Sequence, residues 1–262
     1  MVQSHGERLA ELLDLSRKLG DPERKWAILG EGNASARADG ETFFVKASGS
    51  RLATLQESQV AHVRFAPILA TIESGEMLSD IECMDRLRSA AIGPEGVMPS
   101  VETLMHAFLL TLPEIAFVGH THVTSINGVV CSKRGWGFLT SGQRLFPDEI
   151  VVCGPAACCI EYVKPGLILA RRIREQVTAY REKFGTPPKS IFLQNHGFIA
   201  LGRTAQEVES IHQMADKAAH ILIAALSAGE PTSLTPEQVD DIYVWPAEHF
   251  RQRALGLTDD AG

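Results

Sequence analysis

Three histidines and one glutamate carry the strongest chemical signal in the chain. His120 and His122 form an H-x-H pair inside a segment, Ile115 to Val123, whose apolar pattern predicts a strand. Side chains two apart on a strand share a face, so both imidazoles can reach one ion. His196 stands in Asn195-His196-Gly197, directly after a second predicted strand, Ile191 to Gln194. Glu102 falls in the first turn of a predicted helix, where the helix dipole favours an ionised carboxylate. Three imidazoles and a carboxylate suit a zinc-type ion, with room for a substrate oxygen. An H-x-H pair alone fits packed or surface histidines equally well; the other two residues give it weight.

His106 follows Glu102 by four residues and shares its helix face. That spacing could bind a metal, but it reads better as a residue orienting the glutamate. His5, His62, His212, His220 and His249 have no ligand-like context. His212 and His220 lie on a long predicted helix and are expected at solvent or at an interface.

Two loops of small residues come next. Gly30-Glu31-Gly32-Asn33-Ala34-Ser35 precedes a predicted strand, Thr42 to Val45, and Lys46-Ala47-Ser48-Gly49-Ser50 follows it. Such loops aim backbone N–H groups and hydroxyls at an anion, and Lys46 adds charge. With Ser100 just before Glu102, they point to an anion pocket beside the histidines. The dinucleotide fingerprint fails, because Ser35 occupies its third glycine position, and no Walker motif occurs.

The elements that must position these residues alternate between helix and strand. Residues 6–19 carry a leucine stripe. Ser79-x-x-Glu82 is a capping box opening a helix with Ile81, Met84 and Leu87 on one face. Ser100 can cap a helix bearing Val101, Leu104, Met105 and Phe108. Ile150 to Cys153 and Cys159 to Val163 read as short strands. Pro165 starts a helix through Ile168, Ile173, Val177 and Tyr180, ending near Gly185. Thr204-x-x-Glu207 opens a long helix through Val208, Ile211, Ala215 and Leu222. From about residue 230 the chain is expected to wrap the surface or a neighbour. Without repeats or a long linker, residues 1–262 read as one domain of mixed helices and strands.

Composition narrows the classes. The 262 residues are 45% hydrophobic and 22% charged, with net charge −7. Wholesale disorder is excluded by the apolar content, and a broad nucleic-acid or anionic-membrane footprint by the acidic balance. No apolar run approaches the roughly 20 residues of a spanning helix, and no signal peptide is apparent. The five cysteines form no CxxC pair. They read as reduced, mostly buried thiols in a cytoplasmic protein, with Cys158 and Cys159 on opposite faces of a strand.

The motif order is Gly-Asn-x-Ser, Lys-x-Ser-Gly, Pro-Ser-Val-Glu-Thr-Leu-Met-His, Gly-His-Thr-His and Asn-His-Gly. Over about Leu9 to Ala225 this resembles the class II aldolase/adducin family. It is most similar to the aldolase part of rhamnulose-1-phosphate aldolase/lactaldehyde dehydrogenases, which share Pro-Ser-Val-Glu-Thr and the pattern of Tyr162-Val163-Lys164-Pro165-Gly166. The resemblance implies a three-layer α/β/α fold with a largely antiparallel central sheet. It implies a homotetramer with sites between subunits, and zinc at His120, His122 and His196 with Glu102 as the nearby carboxylate. It implies a phosphate pocket lined by Asn33, Ser48, Gly49 and Ser100, with Val101 where fuculose-type members have a second serine. The family also uses a tyrosine acid, for which Tyr162 is the candidate among Tyr162, Tyr180 and Tyr243.

A metal ion so placed polarises the ketone of a ketose phosphate, and Glu102 moves protons at the carbon beside the carbonyl. Three readings stay open: a zinc-dependent lyase releasing dihydroxyacetone phosphate and a small aldehyde; a metal-dependent decarboxylase, dehydratase or epimerase on a related sugar or keto acid; and a non-catalytic adducin-like interaction domain. The retained histidines and Glu102 weigh against the third.

Overall fold

A computed structural model describes residues 4–93 and 96–254, with the side chains of His249 and residues 252–254 left outside the description. In chain order the elements are α1 (His5–Leu19), β1 (Asn33–Arg37), β2 (Thr42–Lys46), β3 (Val60–Arg64), α2 (Phe65–Glu73), α3 (Asp80–Ala90), β4 (Ala91–Ile92), α4 (Thr103–Leu110), β5 (Phe117–Thr121), α5 (Thr124–Val130), α6 (Lys133–Thr140), α7 (Pro147–Cys153), β6 (Cys158–Ile160), α8 (Leu167–Phe184), β7 (Ser190–Leu193), β8 (Gly197–Gly202), α9 (Ala205–Ala228), α10 (Pro236–Tyr243) and α11 (Pro246–Ala254).

The strands join in one sheet, ordered β4-β3-β2-β1-β5-β8-β7-β6. Every pairing is antiparallel except β6 with β7. Side chains alternate across the sheet, so each strand feeds two cores. Phe43, Val45, Val118, Ile191, Leu193, Ile199 and Leu201 pack on one side with Ile68 of α2, Leu87 of α3, Leu104 of α4 and Ile173 of α8. Phe44, Phe117, Phe192, Phe198 and Ala200 pack on the other with Leu12 of α1, Ile126 of α5, Phe138 of α6 and Ile211 of α9. This is the three-layer α/β/α arrangement. Cys158 joins the first core and Cys159 borders the second, and among the described residues all the cysteines are free, with Cys131 exposed.

Several expectations are corrected. Ile150 to Cys153 is helical, not a strand. Pro147 opens α7, Asp148 and Glu149 sit in its first turn, and the Arg144 guanidinium holds Glu149 at 3.0 Å. A short apolar run cannot distinguish the two states. Helix α3 buries Cys83, Leu87 and Ala90, leaving Ile81 and Met84 exposed. The helix expected from Pro165 begins at Leu167 behind Gly166, whose φ of 101° suits glycine alone. Helix α4 starts at Thr103, with Glu102 itself at the N-cap and the Ser100 carbonyl accepting the Thr103 N–H. The Gly30–Ser35 segment is a loop only to Gly32, because β1 starts at Asn33. Its Asn-Ala-Ser-Ala-Arg sequence lacks the β-branched residues that mark strands, yet it is central, between β2 and β5.

Beyond Gly229 the described chain packs on its own α7 side: the Leu234 N–H donates to the Arg144 carbonyl, and Arg251 pairs with Asp148. Among the described residues no helix is long and apolar enough to cross a membrane.

Candidate metal centre

The antiparallel order brings one end of four strands together. His120 is near the end of β5 and His122 lies just past it; His196 sits in the turn before β8; Asn33 begins β1 and pairs in register with His120; Lys46 ends β2. The three imidazoles form a nearly equilateral triangle, with ring centroids 5.0–5.1 Å apart. One ligand nitrogen from each lies within 4.8 Å of the others. His120 is fully buried, whereas His122 and His196 keep an opening.

Ring polarity favours metal binding. The Nδ1 of His120 is 3.0 Å from the Phe198 carbonyl, which can accept only from a protonated nitrogen. Its Nε2 is buried without a hydrogen-bond partner, as is the Nε2 of His122. A buried nitrogen lone pair without a donor is costly unless an ion receives it. The residues therefore fit a divalent ion.

Glu102 closes the group. Its Oε1 lies 3.5 Å from His120 Nε2 and 3.3 Å from His196 Nε2, and Asn33 Nδ2 donates to its Oε2. Burial pushes this carboxyl up, but the facing His120 and His196 outweigh burial and hold it well below the usual carboxylate range. The group is therefore held as a carboxylate at neutral pH. Burial opposes a proton on His120; Glu102 and the Phe198 carbonyl overcome that and raise its pKa. His122 is pushed down to about 4 by burial and by the two neighbouring imidazoles.

Two glycines make the approach possible. A Cβ on Gly197 would lie 2.5 Å from the Thr121 carbonyl oxygen and 2.8 Å from His122 Cδ2. A Cβ on Gly32 would lie 2.6 Å from the His120 carbonyl oxygen, and its φ of 70° is a second reason for glycine. Gly32 thus serves close packing behind His120 rather than the anion contact expected of its loop.

The anion-pocket residues are brought near one another in part. Ala47 bridges Pro99, and the Ser48 N–H donates to the Met98 carbonyl, so the Ser48-Gly49 loop lies against the segment carrying Ser100. The Ser100 hydroxyl and Asn33 Oδ1 are buried and unpartnered. Lys46 is buried, with Nζ donating to the Ser50 carbonyl at 2.8 Å. Burial pushes its pKa down, and Glu102 partly offsets that. Tyr162 follows β6 with an exposed ring, and its backbone N–H donates to Gln194 Oε1.

His106 and His212 depart from expectation. His106 is fully buried, and its Nδ1 is 2.7 Å from the Ser35 hydroxyl rather than on Glu102; burial drives its pKa to about 3. His212 is also fully buried, with Nδ1 donating to the Val208 carbonyl, and it packs against Trp26 and Phe198. Gly119 lets it approach, since a Cβ there would stand 2.9 Å from its ring. Helical periodicity could have placed His212, one residue from the apolar Ile211, on the core side.

The sequence profile described as class II aldolase and adducin N-terminal domain matches residues 10–223. The chain belongs to this family. It is 28% identical over 204 residues to a Bacillus subtilis (strain 168) protein named uncharacterized oxidoreductase YuxG, covering 75% of this chain and 27% of that one. The chain thus spans about a quarter of that relative's length. It is 24% identical over 209 residues to methylthioribulose-1-phosphate dehydratase of the same organism, covering 78% of this chain and 87% of that one. Among solved structures, the N-terminal class II aldolase domain of a conserved protein from Thermoplasma acidophilum has a TM-score of 0.66 at 24% identity, covering 82% of this chain and 93% of that one. An L-fuculose 1-phosphate aldolase has a TM-score of 0.68 at 19% identity, covering 95% and 100%. These likenesses show the shared fold.

Proposed function

We propose that this class II aldolase-family chain is a divalent-metal lyase, with zinc as the ion, that cleaves a ketose 1-phosphate into dihydroxyacetone phosphate and a small aldehyde. The convergence of three imidazoles and an ionised Glu102 beside the Ser48 and Ser100 segments carries the reading. His120, His122 and His196 would hold the ion, with Glu102 beside them. When bound, the ion supplies Lewis-acid charge at the ketone oxygen.

The chain's own residues supply the rest. In the cleavage direction the C4 hydroxyl loses its proton and becomes the aldehyde. The C3–C4 bonding pair moves to C3 and the carbonyl, and C3 then takes a proton. Glu102 is the group assigned to C3: its carboxylate, ionised and held from one side by Asn33, removes the C3 proton in the condensation direction, and in cleavage its protonated form returns that proton. Ser48, Gly49, Ser100 and Asn33 are assigned to the phosphate, with Lys46 adding charge from below. Tyr162, whose ring is exposed, stays the candidate at the aldehyde oxygen: it accepts the C4 hydroxyl proton in cleavage and returns it in condensation. The exposed Ile28 and Leu29 beside the centre offer apolar contact for the homotetramer that this reading includes.

A second reading is dehydration, decarboxylation or epimerisation at the same centre. The dehydratase relative supports it. Both readings are tested by incubating metal-stripped and zinc-, cobalt- or manganese-loaded protein with ketose 1-phosphates and β-keto acids. Metal-dependent aldehyde release is expected. Carbon dioxide release, or water loss without cleavage, transfers the assignment to the second reading, and no metal-dependent turnover of any substrate removes both.

A further inference from the structure

His122 differs from His120 in what holds it. Phe198 fixes the His120 ring through a buried backbone carbonyl. The His122 ring instead faces a side chain from the loop before β1: Glu31 Oε1 lies 3.7 Å from His122 Nδ1, while its Nε2 is buried without a partner. The other Glu31 oxygen accepts the Ile28 N–H at 3.0 Å, and the Glu31 N–H donates back to the Ile28 carbonyl at 2.9 Å. These two hydrogen bonds close a tight turn from Ile28 to Glu31 in which Leu29 has a φ of 51°, and Gly32, just beyond it, has a φ of 70°. The carboxylate is therefore aimed by its own loop.

That loop is fastened to the histidine strand at several points. The His122 N–H donates to the Trp26 carbonyl at 2.9 Å, and Thr124 N–H donates to the Lys25 carbonyl. The Trp26 indole N–H donates to Asp216 of α9 at 2.9 Å, and the same aspartate accepts from Ser125. Backbone bonds thus fix where His122 starts, and Glu31 faces the ring nitrogen nearest the backbone, Nδ1. An Nδ1–H directed at a carboxylate leaves Nε2 as the lone-pair nitrogen, facing the other two imidazoles, and makes it a stronger donor.

We propose that Glu31 is a positioning residue for the metal centre: it sets the tautomer and orientation of His122, and so sets how tightly and in what geometry a divalent ion is held. The inference rests on the metal-site reading above. At 3.7 Å the contact is a charge facing a ring nitrogen rather than a formed hydrogen bond.

The test uses Co²⁺ as probe on the full chain. Affinity is measured by chelator competition, and the visible absorption of bound Co²⁺ reports coordination geometry. Glu31→Ala is expected to weaken Co²⁺ binding by about 10- to 100-fold and to shift the absorption bands. Glu31→Gln keeps an oxygen for the Ile28 N–H, so it guards against loss of the loop fold; it is expected to bind between the alanine variant and the parent chain, again with shifted bands. Parent-like affinity and spectrum in both variants would overturn the role of Glu31. A parent chain that binds no Co²⁺, or binds it equally well with His120→Ala, would instead overturn the metal-site reading itself.

Discussion

Replacing Glu102 by glutamine is expected to lower kcat by about 10²- to 10⁴-fold, the usual worth of a positioned acid–base group. The change is nearly isosteric, and an amide oxygen can still accept from Asn33 Nδ2, so fold and metal content should survive. Charge is what disappears: the carboxyl is held ionised against its burial by His120 and His196, and the amide cannot take a proton. A second readout follows from the role at C3. The parent chain should exchange one C3 hydrogen of dihydroxyacetone phosphate with deuterated water, and the variant should not. Near-parent turnover, or unchanged exchange, would remove Glu102 as the base.

The second large effect is expected at a residue with no side chain. Gly197→Ala places a Cβ 2.5 Å from the Thr121 carbonyl oxygen, 2.8 Å from His122 Cδ2 and 3.2 Å from His120 Cε1. Two of those neighbours are proposed ligands, and the third is backbone that β8 pairing holds in place. Overpacking of this kind costs about 1–3 kcal/mol, and turning either imidazole should weaken metal binding by at least about tenfold. Gly137→Ala in α6 serves as control, because nothing lies within 4 Å of its added Cβ and alanine favours a helix. Chelator competition and thermal unfolding read both variants. A Gly197→Ala chain that binds metal as the parent does would show that the imidazole triangle has slack which its geometry does not suggest.

Much of the centre was legible because strand parity is simple. His120 and His122 share a face whatever the rest of the fold does, and Asn195-His196-Gly197 announces a turn at a strand end. The antiparallel sheet order that joins them entered through family resemblance, since periodicity gives no pairing. Failures trace to information that is not local. β1 escaped notice because alanine, serine and asparagine carry no strand signal, although small side chains suit a central strand crowded by α1 and β5. Helix α7 was misread because four apolar residues fit either state until Arg144 captures Glu149. That the Lys46 chain is buried, with its ammonium on the Ser50 carbonyl, is likewise not visible in spacing. In the sequence Glu31 reads only as part of a loop of small residues. Its approach to His122 depends on the turn closed at Ile28 and on the Trp26–His122 backbone bond, neither of which spacing reveals.

The most direct test of the centre is its metal stoichiometry. Protein loaded with zinc and freed of excess ion should carry about one ion per chain, as three imidazoles with a nearby carboxylate require. His120→Ala, which removes the one fully buried imidazole of the triangle, should carry several-fold less while keeping its helical and strand content. Equal zinc in the two proteins, or none in the parent chain, would contradict the assignment of His120, His122 and His196 as a metal site.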